Sequence, residues 1–383
     1  MSQQTGRRNG DLSVQLERLV PEHIRKFEAY IPSKPDAELM KLFGCSRLFR
    51  LNNNENPLGP PSASREIMKK FSPSRASLYP SGDSYYMRVR LAEKFGLHPD
   101  QFLFGNGANE AIAFVIKAFC QEGDNIVTAD KTFAVYEWVA QFSGFDARLV
   151  PLRGFVFDDE AMLENIDGRT KIVFVCNPNN PTGTYWSRER LCRFLDAVAG
   201  RLIVVVDEAY CEFVEEEDYP NAMDLLAAYP NLVVFRTFSK MYGLAGLRIG
   251  YLAGSLEAVS IMRRTCVVYS VNTVAQEAAL VAMDDEEHVP RTRALVREEK
   301  KFLVEEAARL GIEVQAGEGC YVMMKLRMSD TLAYRKLMSR GVMVRSMTGF
   351  RFPNWIRVSI GTHEAMEAVI EAIGSVLPQG NAA

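Results

Sequence analysis

A lysine, two hydroxyls and an arginine cluster after a hydrophobic run in this 383-residue chain: Arg236-Thr-Phe-Ser-Lys240, with Arg248 following inside Gly243-Leu-Ala-Gly-Leu-Arg-Ile-Gly250. Upstream, Asp207 closes a second apolar run, Ile203-Val-Val-Val206. A lysine amine can attach an aldehyde, and hydroxyls with a planar guanidinium can hold a phosphate. An acid at the end of a buried strand can pair with a cationic ring nitrogen. The chemistry these residues suit is that of a covalently held cofactor carrying an aldehyde, a phosphate and a protonatable ring.

Three further stretches point the same way. Asp207 alone could simply cap a following helix, but Tyr210 comes three residues later in Asp207-Glu-Ala-Tyr210, and Ser239-Lys240 follows another strand-like run. Cys176-Asn-Pro-Asn-Asn-Pro-Thr-Gly183 is a turn pinned by two prolines, whose Asn side chains can reach over the strand ends. Phe104-Gly-Asn-Gly-Ala-Asn-Glu110 opens an apolar helix; its glycines expose the free amides of a helix N-terminus, which suit a phosphate, although for a Gly-x-Gly taken alone a plain loop is the better reading. It lacks the spacing of a dinucleotide-binding loop. Phe133 in Thr132-Phe133 begins another helix and could stack on a planar ring or pack on the sheet.

The elements that must position these residues alternate. Strand-like runs at Asn125–Thr128, Ala147–Pro151, Lys171–Cys176, Leu202–Val206, Leu232–Phe235 and Arg248–Leu252 are interleaved with helix-like runs at Glu110–Cys120, Phe133–Phe142, Arg188–Ala199 and Ala222–Ala228. The strands are continuously apolar, as strands covered on both faces are, and the alternation predicts a mostly parallel α/β sheet. Beyond about residue 270 the pattern changes to a long charged helical stretch over Val274–Leu310. Short strands at Val342–Arg345 and Trp355–Ile360 and a final helix to about Val376 follow, as in a smaller α+β domain. The expected division is an N-terminal arm and start of the small domain over 1–50, a large domain over 51–270 and a small domain over 271–383. Residues 1–10 read as a disordered start, and two short helices are expected between Leu12 and Phe43.

The net charge of −3 and a pI near 6.0, with no basic stripe, argue against a polyanion partner. The seven cysteines are odd in number and form no C-x-x-C pair, which fits reduced thiols in a cytoplasm. No apolar run approaches a membrane span, and no signal-like segment follows the start. The four histidines are separated from one another and from the cysteines, so no metal is expected.

In their order along the chain, these motifs resemble the fold-type-I pyridoxal-phosphate enzymes of aminotransferase class I/II. The chain is most similar to the histidinol-phosphate aminotransferases, through Leu51-Asn-Asn-Asn-Glu-Asn-Pro57, Tyr79-Pro80, Asp207-Glu-Ala-Tyr-Cys-Glu-Phe213, Leu244-Ala-Gly-Leu-Arg248 and Arg357-Val-Ser-Ile-Gly-Thr362. The resemblance implies a large domain built on a seven-stranded, mostly parallel sheet. It implies pyridoxal 5′-phosphate bound to Lys240 as a Schiff base, with Lys240 as proton carrier, Asp207 on the ring nitrogen, Tyr210 and Asn180 on the phenolic oxygen, and Phe133 stacked on the ring. The phosphate would meet Gly107, Ala108, Asn109, Thr237, Ser239 and Arg248, and Tyr79 from the second subunit of a homodimer. Substrate contacts are implied for Arg345, Arg357, Asn56 and Cys320. Cys320 stands where the subfamily has Asn, which bears on the substrate and not on the cofactor. Besides histidinol phosphate with 2-oxoglutarate, the motifs are compatible with transamination of aromatic or other amino acids, or with a decarboxylase of the same fold.

Overall fold

The computed structural model describes residues 16, 18–29 and 32–377; the start over 1–10 that reads as disordered lies outside them. Strand β1 (Phe49–Arg50) is short and finds its partner far along the chain. Seven strands then build the main sheet: β2 (Phe102–Gly105), β3 (Asn125–Ala129), β4 (Asp146–Val150), β5 (Thr170–Cys176), β6 (Ile203–Asp207), β7 (Leu232–Thr237) and β8 (Gly250–Gly254), in the order β2-β8-β7-β6-β5-β3-β4. From β4 to β7 neighbours run parallel, while β8 runs antiparallel to both β7 and β2. Helices over Ala108–Phe119, Val135–Phe142 and Arg188–Val198 connect them, and β2, β3 and β8 are buried along their whole length. Continuous apolar strands are the pattern that burial on both faces requires.

The parallel strands place their carboxyl ends along one edge, the position at which open α/β sheets bind ligands. Cys176 at the end of β5 lies opposite Asp207 at the end of β6, which in turn lies opposite Phe235 of β7, just before the Thr237–Lys240 run.

A second sheet follows in β9 (Glu313–Ala316) and β10 (Tyr321–Lys325). Then comes β11 (Val342–Met343), which pairs in parallel with β1 and so ties the N-terminal segment to the C-terminal third. Strands β12 (Arg345–Ser346) and β13 (Trp355–Ser359) complete a four-stranded antiparallel sheet in the order β12-β13-β10-β9. One hydrophobic cluster runs through both sheets, from Ile172 and Val205 to Val322 and Ile356.

Several expectations shift. The helical stretch over Val274–Leu310 is two helices, Thr273–Ala282 and His288–Arg309. The acidic run between them turns the chain, and Asp285 Oδ1 accepts the amides of Glu287 and His288 at the new helix start. Ala222–Ala228 forms only a short 3₁₀ turn over Ala222–Leu225. Phe133 precedes its helix, which begins at Val135, and Arg248 precedes β8, with φ 58°. The β2 strand, which has four residues ending in glycine, has no counterpart among the expected strands. The two short helices expected near the start are present at Glu22–Lys26 and Asp36–Phe43.

Candidate active site

The carboxyl edge of the main sheet gathers most of the residues singled out from the sequence. Asp207 is buried at the end of β6; its Oδ1 accepts the amide of Ala209 at 3.0 Å and its Oδ2 accepts the Tyr136 hydroxyl at 2.5 Å. Burial raises its carboxyl above the usual range, an effect the hydrogen bonds from Tyr136 and Ala209 oppose. A cationic group beside it would be strongly favoured.

Lys240 reaches across the cleft, and its amine donates to the Asn53 carbonyl at 2.7 Å. Its ammonium lies 6.0 Å from the centre of the Tyr210 ring. Removal from water is the chief reason its pKa is pushed down to about 8. The charges of Arg357 and Arg248 add to that effect, and Cys320 and Glu55 act against it. An amine with that pKa is neutral in roughly one molecule in ten at pH 7, ready to attack a carbonyl.

Gly107 supplies the N-terminal turn of the helix Ala108–Phe119 with φ 81°, and a Cβ there would lie 2.2 Å from Nη2 of Arg248. Glycine is therefore what lets the guanidinium lie against a helix N-terminus whose first amides have no intrahelical acceptor. Thr237 and Ser239 line the same corner, with the Ser239 amide bound to Thr237 Oγ1 at 3.1 Å. A guanidinium beside the free amides of a helix N-terminus forms a cradle for an anion.

The turn after β5 is welded in place. Thr132 Oγ1 donates to Asn179 Oδ1 at 2.8 Å and Tyr321 Oη donates to the Asn179 carbonyl at 2.7 Å. Gly183 lies against Gly317 so closely that a Cβ on it would come within 2.9 Å of the Gly317 Cα. That weld fixes Asn180, whose Oδ1 accepts from Nη1 of Arg357.

The C-terminal sheet supplies the other wall. Arg345 and Arg357 are directly opposed across β12 and β13. Arg357 is buried, donates to the Asn52 carbonyl at 2.8 Å, and leaves its Nε without a partner. Among the described residues neither arginine forms an ion pair. Arg357 lies 5.5 Å from the Tyr321 ring and Arg345 5.7 Å from the Phe350 ring. Directly opposed like charges are unfavourable in a sheet, and a buried guanidinium without a counter-charge costs several kcal/mol, so the pair is built for an anion.

Residues 46–373 match the family model of aminotransferase class I and II. The chain is 38% identical over 357 residues to a histidinol-phosphate aminotransferase of Moorella thermoacetica, covering 93% of this chain and 92% of that one. It is 37% identical over 366 residues to the enzyme of the same name from Anaeromyxobacter, covering 94% and 99%. The chain belongs to the class I and II aminotransferases. It is a pyridoxal-phosphate-dependent transaminase. Its fold matches the histidinol-phosphate aminotransferase of Sinorhizobium meliloti, a structure in complex with pyridoxal 5′-phosphate, at a TM-score of 0.84 and 22% identity, covering 93% and 97% of the two chains. It matches the aspartate aminotransferase of Thermus thermophilus with maleate at 0.80 and 24%, covering 94% and 99%.

The enzyme's own residues fit that cofactor. The Gly107–Arg248 cradle suits its phosphate, the buried Asp207 its ring nitrogen, and the Lys240 amine its aldehyde. When bound, the cofactor supplies an electron sink for the carbanion formed at the substrate carbon. Phe133 is in edge contact with Tyr136 at 5.6 Å, the residue whose hydroxyl meets Asp207.

Asn56 and Tyr79 have partners within this chain. The Asn56 Nδ2 donates to the Met241 carbonyl at 2.6 Å and its Oδ1 accepts the Leu58 amide at 2.9 Å. Asn56 therefore holds the backbone next to Lys240. Tyr79 is 84% exposed, stacked on Tyr269 at 4.9 Å, outside its own chain's cleft. Cys320 is buried, with its Sγ 3.8 Å from the Asn54 carbonyl, and burial pushes its thiol pKa up. Tyr136 and Asn54 were not singled out from the sequence. Tyr136 could have been found one helical turn after Phe133, and Asn54 through its place in the Leu51–Pro57 motif, although nothing local shows which of that motif's asparagines faces Tyr210.

Proposed function

We propose that this aminotransferase moves the amino group of histidinol phosphate to 2-oxoglutarate, giving imidazole acetol phosphate and glutamate by a ping-pong cycle. The opposed Arg345 and Arg357, neither in an ion pair among the described residues, carry the reading. A phosphate monoester is a near-dianion that two guanidiniums would grip in pairs, and a 2-oxo acid offers a carboxylate to the same buried Arg357. The two relatives above, each called a histidinol-phosphate aminotransferase and matched over nearly the whole chain, support it. Lys240 holds the cofactor and, once substrate displaces it, carries the proton from the substrate carbon. Asp207 keeps the ring nitrogen protonated, Tyr210 and Asn180 serve the phenolic oxygen, and Phe133 stacks on the ring. Ala108, Asn109, Thr237, Ser239 and Arg248 hold the phosphate, and Cys320 shapes the substrate side.

The functional unit in this reading is a homodimer. Leu78, Tyr79, Tyr86, Val267 and Val268 are 56–84% exposed, and the stacked Tyr79–Tyr269 pair lies among them. Large apolar residues held in water on one surface are what a partner subunit covers. Tyr79 would then complete the partner's phosphate pocket. We read residues 51–270 and 271–383 as the large and small domains, with 1–50 as arm and start of the small one. The β1–β11 pairing supports the last point. Among the described residues no helix is long and apolar enough to cross a membrane. The seven free thiols suit the cytoplasm.

A half-reaction screen tests the substrate. Histidinol phosphate, histidine, phenylalanine, tyrosine and glutamate are each mixed with holoenzyme while the visible cofactor band is followed. Histidinol phosphate and glutamate should bleach it fast. Fast bleaching by phenylalanine with none by histidinol phosphate would transfer the assignment to aromatic amino acids, and release of carbon dioxide without a keto product would make the protein a decarboxylase.

A further inference from the structure

A buried chain of hydrogen bonds runs from β13, the strand that carries Arg357, to the hydroxyl of Tyr210. The Asn54 amide donates to Ser359 Oγ at 2.8 Å, Ser359 Oγ donates to Asn54 Oδ1 at 2.9 Å, and Asn54 Nδ2 donates to Tyr210 Oη at 2.8 Å. All three residues are at most 3% exposed.

The hydrogen bonds run in one sense along this chain. The backbone amide of Asn54 donates to the Ser359 hydroxyl, and that hydroxyl gives its own proton to Asn54 Oδ1. With Oδ1 thereby an acceptor, the other end of the Asn54 amide must be the donor, and Tyr210 Oη accepts from it. The Tyr210 proton is then turned away from Asn54, toward the cleft. The backbone makes the arrangement possible. Asn54 sits at φ 58°, a conformation Asn tolerates better than most residues, and there its amide and its side-chain oxygen both face Ser359.

We infer that Asn54 and Ser359 are positioning residues that lock the Tyr210 hydroxyl as a donor to the cofactor's phenolic oxygen, and so set the proton affinity of the cofactor's link to Lys240. The inference rests on the placement of Tyr210 at that oxygen. It also explains why Ser359 stands two residues after Arg357. The strand that reads the substrate anion and the tyrosine that tunes the cofactor share one rigid connection, with the Asn52 carbonyl on Arg357 as a second tie in the same segment. The other titratable and charged groups around Tyr210 are Arg357 of β13, Cys320 and Tyr321 beside and on β10, Cys176 of β5, and Lys240.

The test is a spectrophotometric titration of the holoenzyme's visible band, which reports the protonation of the Lys240 link directly. A hydroxyl donating to the phenolic oxygen favours the deprotonated link, so its loss raises the pKa. Tyr210→Phe should raise it. Asn54→Ala should raise it by about half to one pH unit, the worth of one hydrogen bond, and should add nothing in the Tyr210→Phe background. Ser359→Ala should shift it in the same direction, while Ser359→Thr, which keeps the hydroxyl, should hold the wild-type value. An unchanged pKa in both Asn54→Ala and Ser359→Ala, or a shift that adds in full to that of Tyr210→Phe, overturns the inference. If Tyr210→Phe itself leaves the band unmoved, the placement of Tyr210 is what fails, and the inference falls with it.

Discussion

Replacing Gly107 by alanine tests the anion cradle with the smallest possible change. The new Cβ would stand 2.2 Å from Nη2 and 2.9 Å from Cζ of Arg248. Carbon–nitrogen contact needs about 3.5 Å, so the guanidinium must retreat by roughly 1 Å, beyond the tolerance of a good hydrogen bond. The tip of an arginine can swing aside, so the clash by itself barely destabilises the fold. The backbone at φ 81° adds strain of about 1–2 kcal/mol for a residue with a Cβ. The specific loss falls on the cofactor. Charge-assisted bonds from Arg248 to the phosphate are worth about 1.5–3 kcal/mol, which weakens pyridoxal phosphate binding by about 10- to 150-fold. Titrating apoenzyme with the cofactor and following the visible band measures this, and the melting temperature of the apoenzyme separates strain from lost binding. In an Arg248→Ala background, Gly107→Ala should cost only the strain. Cofactor affinity within about twofold of wild type for the single Gly107 variant would refute the cradle.

Three other outcomes follow from the geometry. Reconstitution of apoenzyme with pyridoxal phosphate needs a neutral Lys240 amine, so its rate should rise with pH through about 8 and level off above, and Lys240→Ala should leave no band that borohydride fixes to the protein. Asp207→Asn removes the counter-charge of the ring nitrogen and should lower kcat by 100-fold or more, with the folded state retained because the Tyr136 hydroxyl keeps an acceptor; steady-state kinetics and circular dichroism check both. Asn56→Ala should lower the melting temperature, through about 1–2 kcal/mol of lost support for the Met241 carbonyl, and leave KM for histidinol phosphate within about twofold; a large rise in KM would return Asn56 to the substrate.

What could be read from the chain alone follows a physical line. The apolar runs Ile172–Cys176, Ile203–Val206 and Leu232–Phe235 fill β5, β6 and β7, and Asp207 ends β6 while Lys240 follows β7 by three residues, so both stand out locally against them. Strand β2 escaped because four residues leading into a glycine turn look like the start of a loop, and its only strand partner, β8, lies about 150 residues further along the chain. Tyr136 escaped because a tyrosine in an amphipathic helix usually packs, and only the register of that helix over β6 brings its hydroxyl to Asp207. Asn54 and Asn56 stand two apart in one polar segment, and their sequence context is nearly identical. Their fates differ because Asn54 takes a positive φ and points to partners 156 and 305 positions away, while Asn56 turns toward Met241. No local pattern encodes a choice made by contacts that distant.

The division of the site between two sheets has a consequence for how its specificity can change. The groups for the cofactor sit at the carboxyl edge of the large sheet, held by its parallel strands and by the turn that follows β5. The arginines proposed to meet the substrate anion sit on β12 and β13, with Cys320 just before β10. Two narrow ties join the sets: Asn180 with Arg357, and Ser359 through Asn54 to Tyr210. A change at position 320 touches neither tie, because the thiol meets only the Asn54 carbonyl, at a distance of weak contact. An amide in its place would add two donors and an acceptor on the substrate side while leaving the hydrogen bonds of Asp207 and the Gly107–Arg248 cradle untouched. Cys320 can therefore change at less cost than Asn54 or Asn180, which carry the two ties.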